Sequence, residues 1–196
     1  MKREKMEYKL KKELDRQRFE HTLGVEQTAV NMARIFGEDE HQAALAGLLH
    51  DCAKCLPLAQ MIKAAKHEDI DPVMKESKAL MHAVAGMCIA RDMYDVKDEA
   101  VLSAIRWHTT GHASMTNLEK IIYLADMIEP NRDFPGVEKL RKLAMKDLDE
   151  TMLLTLERSV EFVEAGGNLL HPDSVHALEW QRDHMEQPLC GDGTMR

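Results

Sequence analysis

Ala43-Ala44-Leu45-Ala46-Gly47-Leu48-Leu49 runs directly into His50-Asp51. A helix drawn through this stretch is apolar on nearly every side, which marks a central segment enclosed by other elements. The acidic residues just upstream, Glu38, Asp39 and Glu40, suit a helix N-terminus. The pattern therefore predicts a helix over 38–54, broken by Pro57, which can sit in the first turn of a further helix at 57–66. Composition extends this reading to the whole chain. Of 196 residues, 44% are hydrophobic, 31% charged and only 5% aromatic, with Gly 10, Pro 6 and Met 14. So few turn formers do not serve a chain of many short strands. Met, Ala, Leu, Glu and Lys, which are plentiful, lose little side-chain freedom in a helix. The expected fold is all-α.

Further helices follow on both sides. Met6, Leu10 and Leu14 give the opening segment a narrow apolar stripe. A second helix is expected from Phe19 to Phe36, stopped by Gly37. Downstream, Asp71-Pro72 marks a turn, Ser77 is placed to cap a helix through Met93, and Val96–Trp107 reads as another. Asn117 is placed to cap a helix through Ile128, Pro130 to Gly136 is a loop, and 137–166 is one long helix or two in tandem. A short helix near 173–184 precedes a frayed tail over Cys190–Arg196.

Net charge is −8, from 34 acidic and 26 basic residues, the wrong sign for a protein that tracks nucleic-acid phosphates. The first 18 residues reverse this, with eight Lys or Arg against four Asp or Glu, and read first as a solvated helix face. No apolar run approaches the roughly 18 residues of a membrane span, and no signal peptide is apparent. Four cysteines, Cys52, Cys55, Cys88 and Cys190, make no disulfide framework in a chain this long. The expectation is a cytoplasmic protein without nucleic-acid or membrane partners.

Polar residues inside apolar helices point to chemistry. His21, His50-Asp51, His82, His108 and Asp126 each sit within or at the edge of an otherwise apolar helical segment. An isolated case reads as a satisfied core histidine or a capping carboxylate, because burying an unpaired charge is costly. Five helices that each turn such groups inward are a different matter. Four imidazoles and two carboxylates form a ligand set for two transition-metal ions, with a carboxylate able to bridge them. Cys52-Ala53-Lys54-Cys55 is a CxxC pattern without the second pair that a structural zinc site needs. His41, His67, His112, His171, His176 and His184 lie in more polar stretches and read as surface or supporting groups.

The ordered set Arg18-Phe19-Glu20-His21-Thr22, Ala46–Asp51 with Lys54, His82, His108-Thr109-Thr110-Gly111 and Ile121–Arg132 resembles the HD superfamily of metal-dependent phosphohydrolases. Within it, the set is most similar to the branch of symmetrical bis(5′-nucleosyl)-tetraphosphatases. The resemblance covers roughly residues 18–165. It implies an HD-domain helical bundle over 18–167 with the metal site between central helices. Residues 1–17 are then a basic helix packed on that domain, and 168–196 a short helix and flexible tail. It also implies that Asp51 bridges two metals, with His21, His50 and Asp126 completing one site and His82 and His108 the other. The metals are two divalent or trivalent transition-metal ions, iron first, with manganese, cobalt, nickel or zinc as alternatives. Asp51 and Lys54 are the expected catalytic residues, and Lys54, Thr109, Thr110, Gly111 and Arg132 the expected substrate contacts. The implied reaction is hydrolysis of Ap4A into two ADP. Alternatives are another nucleotide phosphohydrolase (a nucleotidase or cyclic-nucleotide phosphodiesterase), a non-catalytic nucleotide sensor, or an RNA-associated adaptor using the basic helix. The partner expected is a small nucleotide, and Met-rich helical surfaces suggest a homodimer.

Overall fold

The computed structural model describes residues 1–186; the expected tail at Cys190–Arg196 lies outside the described residues. The chain folds into helices α1 (Arg3–Glu13), α2 (Arg16–Phe36), α3 (Glu40–Leu49), α4 (Leu58–Ala64), α5 (Lys78–Met93), α6 (Glu99–Trp107), α7 (Asn117–Ile128), α8 (Val137–Ala144), α9 (Leu148–Ala165) and α10 (Pro172–Glu186). A short 3-10 segment covers Pro72–Glu76, and no strand occurs among the described residues. The fold is all-α, as composition and periodicity lead one to expect.

Several boundaries move for identifiable reasons. Asp15 caps α2 by accepting the Arg18 N–H at 2.8 Å, so that helix begins three residues before Phe19. Gly37 ends it in the left-handed conformation at φ 75°. Helix α3 stops at Leu49, and the expected helix over 38–54 is corrected here. Beyond Leu49 the backbone tightens into turns, with Cys52 N–H on Leu49 O at 3.1 Å and Lys54 N–H on Asp51 O at 2.9 Å. Helix α6 starts at Glu99, where Asp98 accepts from Ala100 and Val101. Thr116, and not Asn117, caps α7, through a reciprocal capping box with Glu119. Ser77 precedes α5 without a side-chain cap bond. The 137–166 stretch is two helices, because Asp147 caps α9 by accepting the Glu150 N–H at 2.8 Å.

One hydrophobic core collects residues from α1 (Met6, Leu10) through α10 (Ala177, Leu178). Met6, Met32, Met61, Met74, Met81, Met115 and Met152 are all buried in it. Half of the chain's 14 methionines thus fill the core. Helix α3 lies at the centre, packed against α2, α6 and α7. Its small residues Ala43, Ala46 and Gly47 are buried and permit the close approach. A Cβ at Gly47 would stand 2.9 Å from the Glu26 Cα on α2, backbone that cannot swing aside. Gly47→Ala should therefore cost about 1–3 kcal/mol through overpacking. It should also shift His50 and Asp51, one turn downstream. Thermal melts and metal titrations of the variant check this, with unchanged values in both contradicting it.

Candidate metal centre

Five helices converge on one point. His21 projects from α2, His82 from α5 and Asp126 from α7, while His50 and Asp51 directly follow α3 and His108 follows α6. All are buried except Asp126, which is partly exposed. Placing His50 and His108 at helix ends fixes their rings. His50 Nδ1 lies 2.8 Å from Gly47 O, and His108 Nδ1 lies 2.7 Å from Ile105 O. A carbonyl only accepts, so in the neutral rings Nδ1 carries the proton and Nε2 presents its lone pair.

Asp51 divides its two oxygens between two groups of imidazoles. Oδ2 lies 3.8 Å from His21 Nε2 and 3.5 Å from His50 Nε2, while Oδ1 lies 3.2 Å from His82 Nε2 and 3.6 Å from His108 Nε2. Asp126 Oδ1 is 3.0 Å from His21 Nε2 and 4.0 Å from His50 Nε2. Donor atoms of His21, His50 and Asp126, and again of His50, Asp51 and His108, fall within 4.8 Å of one another. His21 Nε2, His50 Nε2 and Asp51 Oδ1 are buried without a hydrogen-bond partner. Each such atom costs about 1–3 kcal/mol if left so. Metal coordination is the chemistry that uses inward-facing lone pairs on nitrogen and carboxylate oxygen. The donor set therefore fits a metal.

Protonation is matched to that use. Burial works to raise the Asp51 pKa, but the His50, His108 and His82 imidazoles packed around it hold it well below the usual carboxylate range. Burial likewise opposes ionisation of Asp126, and the neighbouring His21 and His50 rings and the Arg132 guanidinium prevail, holding it well below the usual carboxylate range. Burial pushes His82 down to about 4 against the pull of Asp51. Ionised carboxylates and a neutral imidazole are the metal-binding forms.

Cations flank the cluster on two sides. Lys54 Nζ lies 3.0 Å from His82 Nε2 and 3.7 Å from Asp51 Oδ1, and Thr109 Oγ1 lies 3.2 Å from both His82 Nε2 and His108 Nε2. On the other side, Arg132 donates to Asp126 O at 2.7 Å and to Asp126 Oδ1 at 2.5 Å, and Arg18 donates to Asp51 Oδ2 at 2.7 Å. A polar cleft of about 360 Å³ opens there, lined by Arg18, His21, Glu129 and Arg132 among others. Thr110 and Gly111 do not join them. Thr110 is buried and makes no hydrogen bond through its hydroxyl. Gly111, at φ +64°, packs against Met115, Leu156 and Ala177, so its small size serves the contact with α9 and α10.

Other titratable groups stand apart. His171 is buried between Asp71 and Asp173, contrary to the surface position its polar neighbours suggest, because the start of α10 folds over it. His112 pairs with Glu119 at 3.2 Å. Burial pushes the Cys52 thiol up while Cys55 is exposed, so the two do not act as a pair. Two residues at the site carry no role in the sequence reading: Arg18 and Glu129. Arg18 stands three positions before His21, on the same helix face, a spacing that could have exposed it. Glu129 holds the same offset from Asp126 but lies just past the end of α7, where helical spacing is no guide.

The family model described as HD domain matches residues 18–131, which span all six metal-competent residues. The chain belongs to the HD-domain family. Among HD-domain relatives, the Bacillus subtilis protein named symmetrical bis(5′-nucleosyl)-tetraphosphatase is 37% identical over 87% of this chain and 92% of its own. The Halalkalibacterium halodurans protein of the same name is 38% identical over 85% and 89%. A solved structure from Clostridium acetobutylicum, described as a predicted HD superfamily hydrolase involved in NAD metabolism, superimposes with a TM-score of 0.91 at 38% identity. It covers 94% of this HD-domain chain and 98% of its own. No described helix is long and apolar enough to cross a membrane.

Proposed function

We propose that this HD-domain protein is a metal-dependent hydrolase that cleaves dinucleoside tetraphosphates such as Ap4A symmetrically into two nucleoside diphosphates. The observation that carries the reading is the division of Asp51, one oxygen toward His21 and His50 and the other toward His82 and His108, with cations on both flanks. The relatives' names support the substrate class. Two ions fit this arrangement, iron first, with manganese, cobalt, nickel or zinc also compatible with an imidazole and carboxylate set. When bound, such ions acidify a water for attack on phosphorus and neutralise charge on the phosphoryl oxygens.

The chain's own residues do the rest. Asp51 spans the two ligand groups and fixes their separation. Lys54 on one flank and Arg132 with Arg18 on the other bracket a polyphosphate lying across the centre, Arg in a planar fork and Lys as a point charge. Thr109 offers a hydroxyl to a phosphate oxygen. The distance from the bound base to the water decides the bond. If the second phosphate reaches it, the opposite half leaves as a nucleoside diphosphate.

Product chromatography on metal-loaded protein with Ap4A in heavy-oxygen water tests the reading. Two ADP should form, with label at the terminal phosphate of only one per turnover. AMP with ATP, or release of inorganic phosphate, would overturn the symmetrical register.

Substrate contacts and ligands separate by mutation. Lys54→Ala should keep its metal content while turnover falls by about tenfold to 100-fold, the range for a lost charge-assisted hydrogen bond of about 1.5–3 kcal/mol. Arg132→Ala should show a similar loss, with metal affinity modestly reduced as well, since Arg132 also holds Asp126. Metal analysis beside steady-state kinetics checks both. Loss of metal from folded Lys54→Ala would refute the role given to Lys54.

A further inference from the structure

Glu129 is 1% exposed and uses both carboxylate oxygens. Oε1 lies 3.1 Å from His21 Nδ1, and Oε2 accepts the Asn131 N–H at 2.7 Å. The first contact leaves His21 Nε2 pointing at Asp126 and Asp51. The second sets the start of the turn that carries Arg132. That turn is also braced by Arg141, which donates to the backbone oxygens of Ile128, Glu129 and Arg132 at 2.7–2.8 Å.

Helix α2 is shaped around this carboxylate. Gly24 sits one turn after His21, on the same face. A Cβ there would stand 2.6 Å from Glu129 Oε2. That oxygen cannot swing away without breaking the Asn131 bond or the His21 contact. The glycine supplies the gap and the histidine supplies the partner, both from one helix face.

We propose that Glu129 is a positioning residue that locks the His21 ring for metal binding and ties it to the Arg132 turn. The proposal rests on the metal centre described above. A carboxylate accepts from both His21 Nδ1–H and Asn131 N–H. A carboxamide places its NH2 against one of those two donors, so Glu129→Gln breaks one contact at almost unchanged volume. Gly24→Ala reaches the same end by another route, displacing the carboxylate without removing it.

The test is Zn2+ affinity of the metal-stripped full chain, read by competition with a chromophoric chelator, with helicity checked by circular dichroism. Both variants should bind Zn2+ about 10–100-fold more weakly, the usual effect of removing a carboxylate partner from a metal-bound histidine. Amide exchange at Asn131 should quicken in Gly24→Ala, whose added methyl displaces the oxygen that accepts that N–H. Loss of packing alone would lower the melting temperature of metal-free protein and leave Zn2+ affinity of the folded chain unchanged. Either folded variant binding Zn2+ within twofold of wild type overturns the proposal. A third reading needs no variant: in the Zn2+-loaded wild type, ring nitrogen NMR should find His21 protonated at Nδ1 and metal-bound at Nε2. Ligation through Nδ1 overturns the proposal. A wild type with the expected ring state that leaves Ap4A intact would instead refute the proposed reaction alone.

Discussion

Asp51→Ala should lower turnover of Ap4A by about three orders of magnitude while leaving the helical content of the protein intact. The side chain is 1% exposed and faces four imidazoles, two from each of its oxygens. Its loss removes the only one of the six residues that reaches both ligand groups through separate oxygens. Each 1.36 kcal/mol of lost transition-state stabilisation is tenfold in rate, so losing the carboxylate shared by both ligand groups is expected to remove about 4 kcal/mol of it. Arg18, which donates to this carboxylate, keeps 28% of its side chain in solvent and can turn outward, so the fold should survive. Turnover with metal content per chain, alongside far-ultraviolet circular dichroism, provides the check. A folded variant with wild-type turnover would remove Asp51 from the chemistry.

Stripping the metal should have the second largest effect, on activity and stability together. The ligand set is drawn from α2, α3, α5, α6 and α7, so an ion bound there opposes separation of most of the central bundle. Binding to the folded state alone contributes about 2.7 kcal/mol per site at a free metal concentration 100 times Kd. For a chain of this size each kcal/mol moves Tm by about 2–4 °C. Two sites should therefore raise Tm by about 10–20 °C over chelated protein, rising further with the logarithm of metal concentration. Turnover should stop on chelation and return with added Mn2+ or Fe2+. Equal melting with and without chelator, at unchanged activity, would sink the two-metal reading.

Helix existence was legible because its signals are local. The Met6, Leu10, Leu14 stripe, Gly37 and the break before Pro57 all act within a turn or two. Boundaries were less legible because caps compete over neighbouring positions. Asp15 outbid the apolar start at Phe19, and Thr116 took the cap from Asn117 because Glu119 could answer it. The six polar residues stood out for a different reason. A histidine or aspartate in an apolar helix is costly to bury without a partner, so each was conspicuous before any partner was known.

What surrounds those six could not be read the same way. Thr109, Thr110 and Gly111 look equivalent as a string, yet only Thr109 meets the cluster, because the chain leaves α6 and turns Gly111 toward α9 and α10. The burial of His171 depends on α10 closing over residues that are far away in sequence.

The all-α architecture, the central apolar segment before His50-Asp51 and the family follow from local patterns of residues, since periodicity and buried-polar cost act over a few positions. The packing of distant helices sets how Asp51 divides its oxygens, places Arg18 and Arg132 on one flank and Lys54 on the other, and fits Glu129 into the gap left by Gly24. Those facts depend on where α2, α3 and α7 cross and which rotamers the crossings admit. A shift of about one ångström where Gly47 packs on the Glu26 backbone would change them all without altering any local pattern.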